Sequence, residues 1–268
     1  MPTLAPSPRR RTVRSETAID LIDGEIRRFA ELIADTDPKA PVPGCGDWTL
    51  ADLVLHVANA HQWAGGMVAK LTPVRIERRP SDTVLPEDWS ATPAWFTRNG
   101  AELVAALRAV NPDAPMYSWG EDKHAGFWIR RMLHETTIHR TDAEAAAHVA
   151  GGRIEPAVAV DAVDEFLENL PFVKAFRPAV RDLHGDGETI HLHATDLEGT
   201  SLPGEWLITL EPHGFRWSHA HVKGAAAVRG TAQDLALFLY GRRKAGDPAL
   251  EILGDFSLLA HWSAKSVF

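Results

Sequence analysis

The chain has 268 residues, of which 45% are apolar and 24% are charged, a composition typical of a folded globular protein with one large domain or two modest ones. Its 36 acidic and 28 basic residues give a net charge of −8, which argues against nucleic acids and anionic membranes as main partners. The single cysteine, Cys45, excludes an intramolecular disulfide, and neither a span of ~20 apolar residues nor a secretory signal is recognisable, so we expect a cytoplasmic protein.

Helical periodicity dominates the first half of the chain. Thr49, with Asp52 three residues later, resembles a capping box that begins the second helix. Loops rich in proline and glycine join the helical segments and no strand pattern intervenes. We therefore predict a four-helix bundle over residues 15–152, preceded by a flexible tail over residues 1–14. The predicted helices are residues 15–34, Leu50–Lys70, Pro93–Val110 and about Gly126–His148.

The second half of the chain has a different character. After an amphipathic helix over residues 156–170, short runs of alternating apolar and polar residues predict half-buried strands. We therefore predict a smaller α+β domain over residues 153–268, so the fold class of the whole chain is α+β. The predicted strands are Thr189–Ala194, Glu205–Glu211, Gly214–Ala220 and Leu250–Leu253, and the remaining predicted helices are Ala232–Tyr240 and a segment from Ser257 onwards.

Two of the predicted bundle helices carry side chains that can hold a divalent metal. Glu135 and His139 are four residues apart, so on a helix they lie about 40° apart around the axis and point the same way. His56 lies in the middle of another helix, and inward side chains from facing helices build metal sites in bundles. Two imidazoles and one carboxylate leave positions open for water or substrate, as a catalytic site requires.

The side chains next to these ligands are interpreted differently. His134 and His139 are five residues apart, roughly 140° around a helix, so they do not form the zinc-protease pattern. His134 is interpreted either as a residue that supports a metal ligand or as a structural residue. Asp142, three residues beyond His139, either orients that imidazole or is a solvated charge on the helix. Arg130 and Arg131 are interpreted as surface or salt-bridged residues rather than anion ligands.

These motifs together resemble a known family. The stretch Trp48–His56 resembles the N-terminal signature of the mycothiol-dependent maleylpyruvate isomerase family, a branch of the DinB-like metal-binding bundles. Residues Arg130–Glu144 resemble the second signature of that family, and Asp161–Leu167 resembles its domain junction. Val228–Arg242 and Leu253–Asp255 resemble its C-terminal domain, so the likeness spans nearly the whole chain in order.

The resemblance implies a DinB-like four-helix bundle followed by the family's α+β C-terminal domain. It implies that the metal ligands are His56, Glu135 and His139, with zinc as the expected ion. It also implies mycothiol, a small cysteine-based thiol, as the cosubstrate, and the isomerisation of maleylpyruvate to fumarylpyruvate as the family's best-known reaction. A C-terminal arginine that helps to hold the acidic substrate corresponds best to Arg242, with Arg243 adjoining it.

The expected chemistry is addition of a thiolate to an electron-poor double bond. Binding of the thiol sulfur to the metal lowers its pKa, so thiolate is present at neutral pH. Rotation about the resulting single bond and expulsion of the thiolate yield the trans isomer, whereas a related S-transferase does not reverse the addition. Cys45 lies in a loop of prolines and glycines without an evident base, and we interpret it as incidental.

Two alternatives from other classes remain open at the level of sequence. One is a non-catalytic stress-response module that binds a metal or a small ligand, and the other is a metal-dependent hydrolase that acts through bound water. The expected partners are mycothiol and a small-molecule substrate. The oligomeric state is left open between monomer and homodimer.

Overall fold

The fold of the protein comes from a computed structural model that describes residues 12–77, 83–149 and 151–266. Within these ranges the first half is helical, and the second half combines a five-stranded sheet with three helices, which confirms the predicted α+β class. Most of the predicted N-terminal tail lies outside the described residues. The helices of the first half are α1 (Ser15–Asp35), α2 (Leu50–Lys70), α3 (Thr92–Ala109) and α4 (Ala125–Ala146).

The start of α2 is fixed by the capping box expected from the sequence. The backbone N–H of Asp52 donates to the Thr49 hydroxyl over 3.3 Å, and the Asp52 carboxylate accepts from the Thr49 N–H over 2.9 Å. Two donors that a helix start leaves without intrahelical partners are thereby satisfied. The helix ends where Leu71 adopts a left-handed conformation with φ of 45°. These signals set the first and last residues of the helix that carries His56.

The bundle is held together by an apolar stripe on each helix. Helix α1 packs on α3 and α4, and α2 packs on the same two helices. On α1 the stripe has helical spacing and is almost completely buried, so each of its larger side chains contributes roughly 1.5–3 kcal/mol. Its five largest members are Ile19, Ile22, Ile26, Phe29 and Ile33. Gly100 of α3 lies against Ile26, where a Cβ atom would come within 2.7 Å of that side chain.

The second half is built around a mixed sheet in the order β3-β2-β1-β4-β5, in which only the β1–β4 pair is parallel. The strands are β1 (Thr189–Ala194), β2 (Glu205–Glu211), β3 (Gly214–Ser218), β4 (Ala226–Gly230) and β5 (Glu251–Gly254). The helices are α5 (Pro156–Asn169), α6 (Ala232–Leu239) and α7 (Phe256–Lys265). In the described ranges no helix has the length and apolarity needed to cross a membrane.

One strand of this sheet was not predicted. Strand β4 is rich in alanine and ends in glycine, residues depleted in strands, so its sequence carries little strand signal. It forms because β1 and β5 pair with its two edges. The other predicted strands and helices lie within about two residues of the observed bounds, which is the usual uncertainty at element ends.

Buried charges join the two halves of the molecule. On α4, Arg130 pairs with Asp161 of α5 over 2.8 Å, and His134 contacts the same carboxylate oxygen over 2.8 Å. Arg131 pairs with Glu165 of α5 over 2.8 Å. These ion pairs are nearly inaccessible to water, so removal of one partner leaves an uncompensated buried charge. They therefore fix α5, and the sheet behind it, against the bundle.

Candidate active site

Helices α2 and α4 bring the three predicted metal ligands together. The Nε2 atom of His56 lies 3.1 Å from Oε1 of Glu135, and the Nε2 atom of His139 lies 3.6 Å from the same oxygen. The two imidazole rings are 4.9 Å apart and nearly perpendicular. Because all three donor atoms lie within 4.8 Å of one another, a small ion can be reached by each of them with minor side-chain movement.

Asp142 orients the imidazole of His139. Its Oδ2 atom lies 2.8 Å from Nδ1 of His139, and its side chain is buried. When Nδ1 donates its proton to the carboxylate, the neutral ring presents a lone pair at Nε2 towards Glu135, the tautomer that a metal ligand needs. Of the two interpretations open for Asp142, the structure therefore supports the orienting one over a solvated charge.

Asp142 and Glu135 are both held as carboxylates. Burial raises the pKa of Asp142, but hydrogen bonds from His139 and Arg242 outweigh it and bring the pKa to about 2. Burial likewise raises the pKa of Glu135, while hydrogen bonds from the two site histidines and the charge of Arg131 hold it well below its ordinary value. Burial favours neutral His139, but its hydrogen bonds to both carboxylates raise its pKa in the metal-free protein.

Arg131 clamps the candidate ligand Glu135 from behind. Its Nη2 donates to Oε2 of Glu135 over 3.0 Å, while its Nη1 donates to both carboxylate oxygens of Glu165 at 3.0 and 2.8 Å. The side chain is 5% exposed, so it is salt-bridged but not a surface residue. Since Arg131 engages Oε2, the other oxygen of Glu135 is left facing the two imidazoles. Sequence spacing could not show this, because Glu165 lies on another helix.

Arg242 lies beside the candidate ligands, whereas its neighbour Arg243 forms ion pairs away from them. Arg242 donates to Asp142 through Nε at 3.0 Å and Nη2 at 2.8 Å. Arg243 pairs with Asp234 at 2.7 Å and with Asp247 at 2.9 Å. Both arginines line the cleft described below, but Arg242 is the one connected through Asp142 to His139.

Cys45 reaches the same corner of the site and forms a second possible ligand group with His139 and Asp142. Its Sγ lies 3.4 Å from Oδ2 of Asp142. Burial and the charge of Asp142 raise the pKa of the Cys45 thiol to about 12, although Arg242 opposes the shift. In the metal-free protein the thiol is therefore protonated at neutral pH, which disfavours it as a nucleophile.

Two other histidines of the bundle lie outside the candidate site. His134 is fully buried against Asp161 and, as expected from its position five residues before His139, is not part of the candidate ligand group. His61 is also fully buried, and its Nε2 lies 2.9 Å from the hydroxyl of Thr136. Burial lowers the pKa of His61 to about 4, and the nearby charge of Glu135 only partly opposes this shift. Both side chains are structural elements of the helix packing.

A cleft of about 1060 Å³ opens next to the candidate ligands, with walls from the bundle and from the C-terminal half. Its described lining contains one carboxylate, Glu135, although the chain as a whole is acidic. Aromatic side chains supply much of the remaining wall, six of which are Trp48, Trp63, Tyr117, Trp119, Trp128 and Phe176. The cationic lining residues are Arg75, Arg131, Arg177, Arg242, Arg243 and Lys244. Such a cleft favours a small anionic ligand with an apolar part.

Several of these lining residues were not identified from the sequence. Arg75 and Arg177 lie in segments without strands or α-helices, and Trp119 lies in the loop before α4. No periodic pattern connects such positions, because loops from distant parts of the chain meet only in the folded structure. Their basic and aromatic side chains are the sole sequence signal, and that signal is equally typical of ordinary surface loops.

Comparison with known proteins agrees with this architecture. The chain matches two family models. The mycothiol maleylpyruvate isomerase N-terminal domain is matched over residues 19–144. The C-terminal domain of the same family, abbreviated MDMPI, is matched over residues 157–261. Sequence comparison with curated proteins gives no significant match.

Two solved structures share the fold. A mycothiol-dependent maleylpyruvate isomerase superposes with a TM-score of 0.55 at 14% identity, and a histidine-to-alanine mutant of such an isomerase with a TM-score of 0.60 at 13% identity. Each alignment covers 90% of this chain and 93% of the other. With both halves matched in order by the family's two domain models, the chain belongs to the mycothiol maleylpyruvate isomerase family.

Proposed function

We propose that the protein is a zinc- and mycothiol-dependent enzyme that isomerises maleylpyruvate or a closely related unsaturated dicarboxylate. The observation that carries this proposal is the convergence of His56, Glu135 and His139 on one point beside a cation-lined cleft. The activity itself is transferred from the family. A thiol cosubstrate and a lone cysteine also fit a reducing compartment, and we place the enzyme in the cytoplasm.

The donor set fits a catalytic zinc ion. Zinc accepts imidazole nitrogen and carboxylate oxygen, and catalytic sites combine three protein ligands with an open position. Here the hydrogen bond from His139 to Asp142 and the clamp of Arg131 on Glu135 orient two of the three ligands. A divalent ion held there would lower the pKa of a thiol sulfur, which makes the thiolate available at neutral pH.

The cations of the cleft are assigned to the carboxylates of the substrate. Four of the five N–H donors of Arg242 are already directed at Asp142, Cys45 and the Tyr240 carbonyl. Arg242 therefore offers one remaining donor, and we assign it to orienting rather than to holding the whole anion. Arg177 and Lys244 are exposed cleft residues that form no ion pair within the described part of the chain, so they are available to bind a second carboxylate.

The reaction follows from these assignments. The mycothiol thiolate adds to one carbon of the double bond, and the electron pair moves onto the neighbouring carbonyl as an enolate. The new single bond rotates, and the electron pair of the enolate then re-forms the carbon–carbon double bond. The carbon–sulfur bond breaks, which releases the free thiolate and the trans alkene, so that no atom is gained or lost. The cations of the cleft stabilise the negative charge of the enolate, and the aromatic walls strengthen that interaction by limiting water. An S-transferase would retain the thioether instead.

The open cleft beside three ligand groups favours catalysis over storage of a metal. A non-catalytic binding site is typically closed by four protein ligands, whereas here the candidate ligands line a cavity large enough for a substrate. A hydrolase that acts through bound water would use the same ligands, and it differs from the proposed enzyme in needing no thiol. The two are therefore separated by experiment.

The direct test is an activity screen of zinc-loaded protein with maleylpyruvate first and then other electron-poor dicarboxylates. We expect turnover with mycothiol, far slower turnover with glutathione, and none without thiol. His56→Ala should lose activity together with one zinc ion per chain, while His213→Gln in the exposed β2–β3 turn should behave as wild type. Equal rates with both thiols would contradict the cosubstrate, and thiol-independent turnover would indicate a hydrolase.

A further inference from the structure

The C-terminal sheet carries a second group of ligand-type side chains, outside the cleft. Successive side chains of strand β1 point to opposite faces of the sheet. Ile190 and Leu192 are buried on the face where α6 packs, so His191 and His193 lie on the other face. Glu205 of β2 is paired in register with His193, which places both on that same face. We name this group the sheet cluster, and its members are His191, His193, Glu205 and His221.

The members of the sheet cluster converge on the carboxylate of Glu205. His191 Nε2 lies 2.8 Å from its Oε2, and His221 Nδ1 lies 2.6 Å from the same atom. His193 Nδ1 lies 3.6 Å from Oε1. Potential donor atoms of His191, His193 and Glu205 all lie within 4.8 Å of one another, the same proximity that is found for the three candidate ligands of the bundle.

The three imidazole rings form a nearly equilateral triangle. Their centroids are 5.9, 6.3 and 6.5 Å apart. Rings that share a tetrahedral zinc ion have centroids about 5 Å apart, given zinc–nitrogen distances of about 2.0–2.1 Å. The required contraction is therefore about 1 Å, and His221, whose side chain is 84% exposed, can supply it for the two longer sides of the triangle. The remaining side joins His191 and His193 and needs a small change in their side-chain torsions.

The charged side chains around the sheet cluster are compatible with a bound cation. Within the described ranges, Glu205 forms ion pairs with histidines and with no lysine or arginine. Arg229, which pairs in register with His193 from the other side, is held by Glu251 over 2.6 Å. A divalent cation bound by the imidazole nitrogens and the Glu205 carboxylate would satisfy all of the converging groups at once.

We propose that the sheet cluster binds a first-row divalent transition metal, with zinc as the ion to test, at a second site separate from the cleft. Three imidazoles and one carboxylate suit zinc, copper and nickel rather than magnesium or calcium. The bound ion ties β1 and β2 to the segment between β3 and β4 that carries His221, which has no strand or helix of its own. Metal binding therefore stabilises the C-terminal half against unfolding.

Zinc stoichiometry tests this site independently of the bundle site. The proteins are wild type, His56→Ala, His193→Gln and the double variant, each dialysed against buffered Zn²⁺ and measured by elemental analysis. If both sites bind, wild type holds two ions, each single variant one and the double variant none. If only the sheet cluster binds, wild type and His56→Ala each hold one ion and His193→Gln holds none. If His193→Gln does not lower the zinc content in either background, the proposal is wrong.

A titration in the His56→Ala background provides the second readout. Substituting Glu205→Gln should raise the Kd for Zn²⁺ about a hundredfold, and His221→Gln about tenfold, because the latter removes the most exposed ligand. His221→Gln also keeps the test valid if substitution inside the sheet impairs folding. The matched control is His213→Gln, which should leave the Kd unchanged. Zinc should raise the Tm of the His56→Ala protein. An equal rise in the protein that carries both His56→Ala and Glu205→Gln would overturn the assignment.

Discussion

Asp142 contacts several of the side chains that form the candidate active site. One buried carboxylate accepts a hydrogen bond from Nδ1 of His139 and two from Arg242, and it also lies next to the thiol of Cys45. The same side chain thus orients a candidate metal ligand and a candidate substrate contact. In metal sites, carboxylates that orient histidine ligands contribute to affinity through the tautomer and ring position that they enforce.

Substituting Asp142→Asn should weaken metal binding at the bundle site by about ten- to a hundredfold, since the amide no longer fixes His139 in the required tautomer. The measurement is zinc affinity by competition with a chromogenic chelator, carried out in the His193→Gln background so that a single site is followed. Asp113→Asn, in an exposed loop before α4, is the control and should not change the affinity. An unchanged affinity for Asp142→Asn would remove the orienting role.

Substituting Arg242→Gln should raise the KM for the acidic substrate about tenfold or more while zinc content stays at the wild-type level. The reason is that a charge-assisted contact to a carboxylate contributes about 1.5–3 kcal/mol. Arg243→Gln serves as the matched control, because that side chain is engaged with Asp234 and Asp247. A larger KM for Arg243→Gln than for Arg242→Gln would transfer the substrate contact to the neighbouring residue.

Helices α2 and α4 form the element pair that holds the candidate site, and a second buried contact between them lies close to it. His61 of α2 meets the hydroxyl of Thr136 on α4 over 2.9 Å in a fully buried environment. The imidazole is neutral there because burial lowers its pKa to about 4. Protonation of His61 would place an uncompensated charge inside the bundle, so this helix pair is sensitive to acid.

The stability of the metal-free protein should therefore fall as the pH is lowered from 6.5 to 4. The unfolded chain protonates His61 near pH 6.5 and the folded chain only near pH 4, so the unfolded state binds more protons in this window. The expected loss is on the order of 3 kcal/mol, at about 1.4 kcal/mol per pH unit. Urea unfolding in the presence of a chelator measures it. His61→Gln should flatten the dependence and His213→Gln should not; the same slope in both variants would refute the assignment to His61.

The sequence predicted helix-borne features better than those that depend on distant contacts. Spacing on α4 placed Glu135 and His139 on one face and separated His134 from them, because helical geometry is local. The clamp of Arg131 on Glu135 escaped prediction, because its second anchor lies on α5. Strand β4 escaped for a related reason, since pairing with two neighbouring strands compensates for its weak propensity.

Across the whole molecule, one hydrogen-bonded network joins the candidate site to the junction of the two halves. Arg131, which clamps Glu135, also donates to Glu165 of α5 and to the hydroxyl of Tyr240 just after α6. Tyr240 in turn donates to Glu165 over 2.9 Å. Because Tyr240 directly precedes the Gly241-Arg242 turn, the packing of the C-terminal half also positions the cleft arginine.

Substituting Tyr240→Phe should lower the free energy of unfolding by about 1–3 kcal/mol, since it leaves the buried Glu165 and Arg131 with one hydrogen bond fewer. Guanidinium or urea unfolding of the zinc-free protein measures the change. Tyr117→Phe is the control, because among the described residues Tyr117 accepts a hydrogen bond from Trp128 through its backbone carbonyl and not through its hydroxyl. Equal stability of wild type and Tyr240→Phe would show that the network does not support the junction.

The proposed catalytic function depends on one divalent ion shared by helices α2 and α4. Anomalous diffraction at the zinc edge from crystals of the zinc-loaded His193→Gln protein locates that ion directly. We predict a single strong peak about 2.0–2.2 Å from Nε2 of His56, Nε2 of His139 and a carboxylate oxygen of Glu135. A peak at Cys45 and Asp142 instead, or no peak between the two helices, would contradict the account.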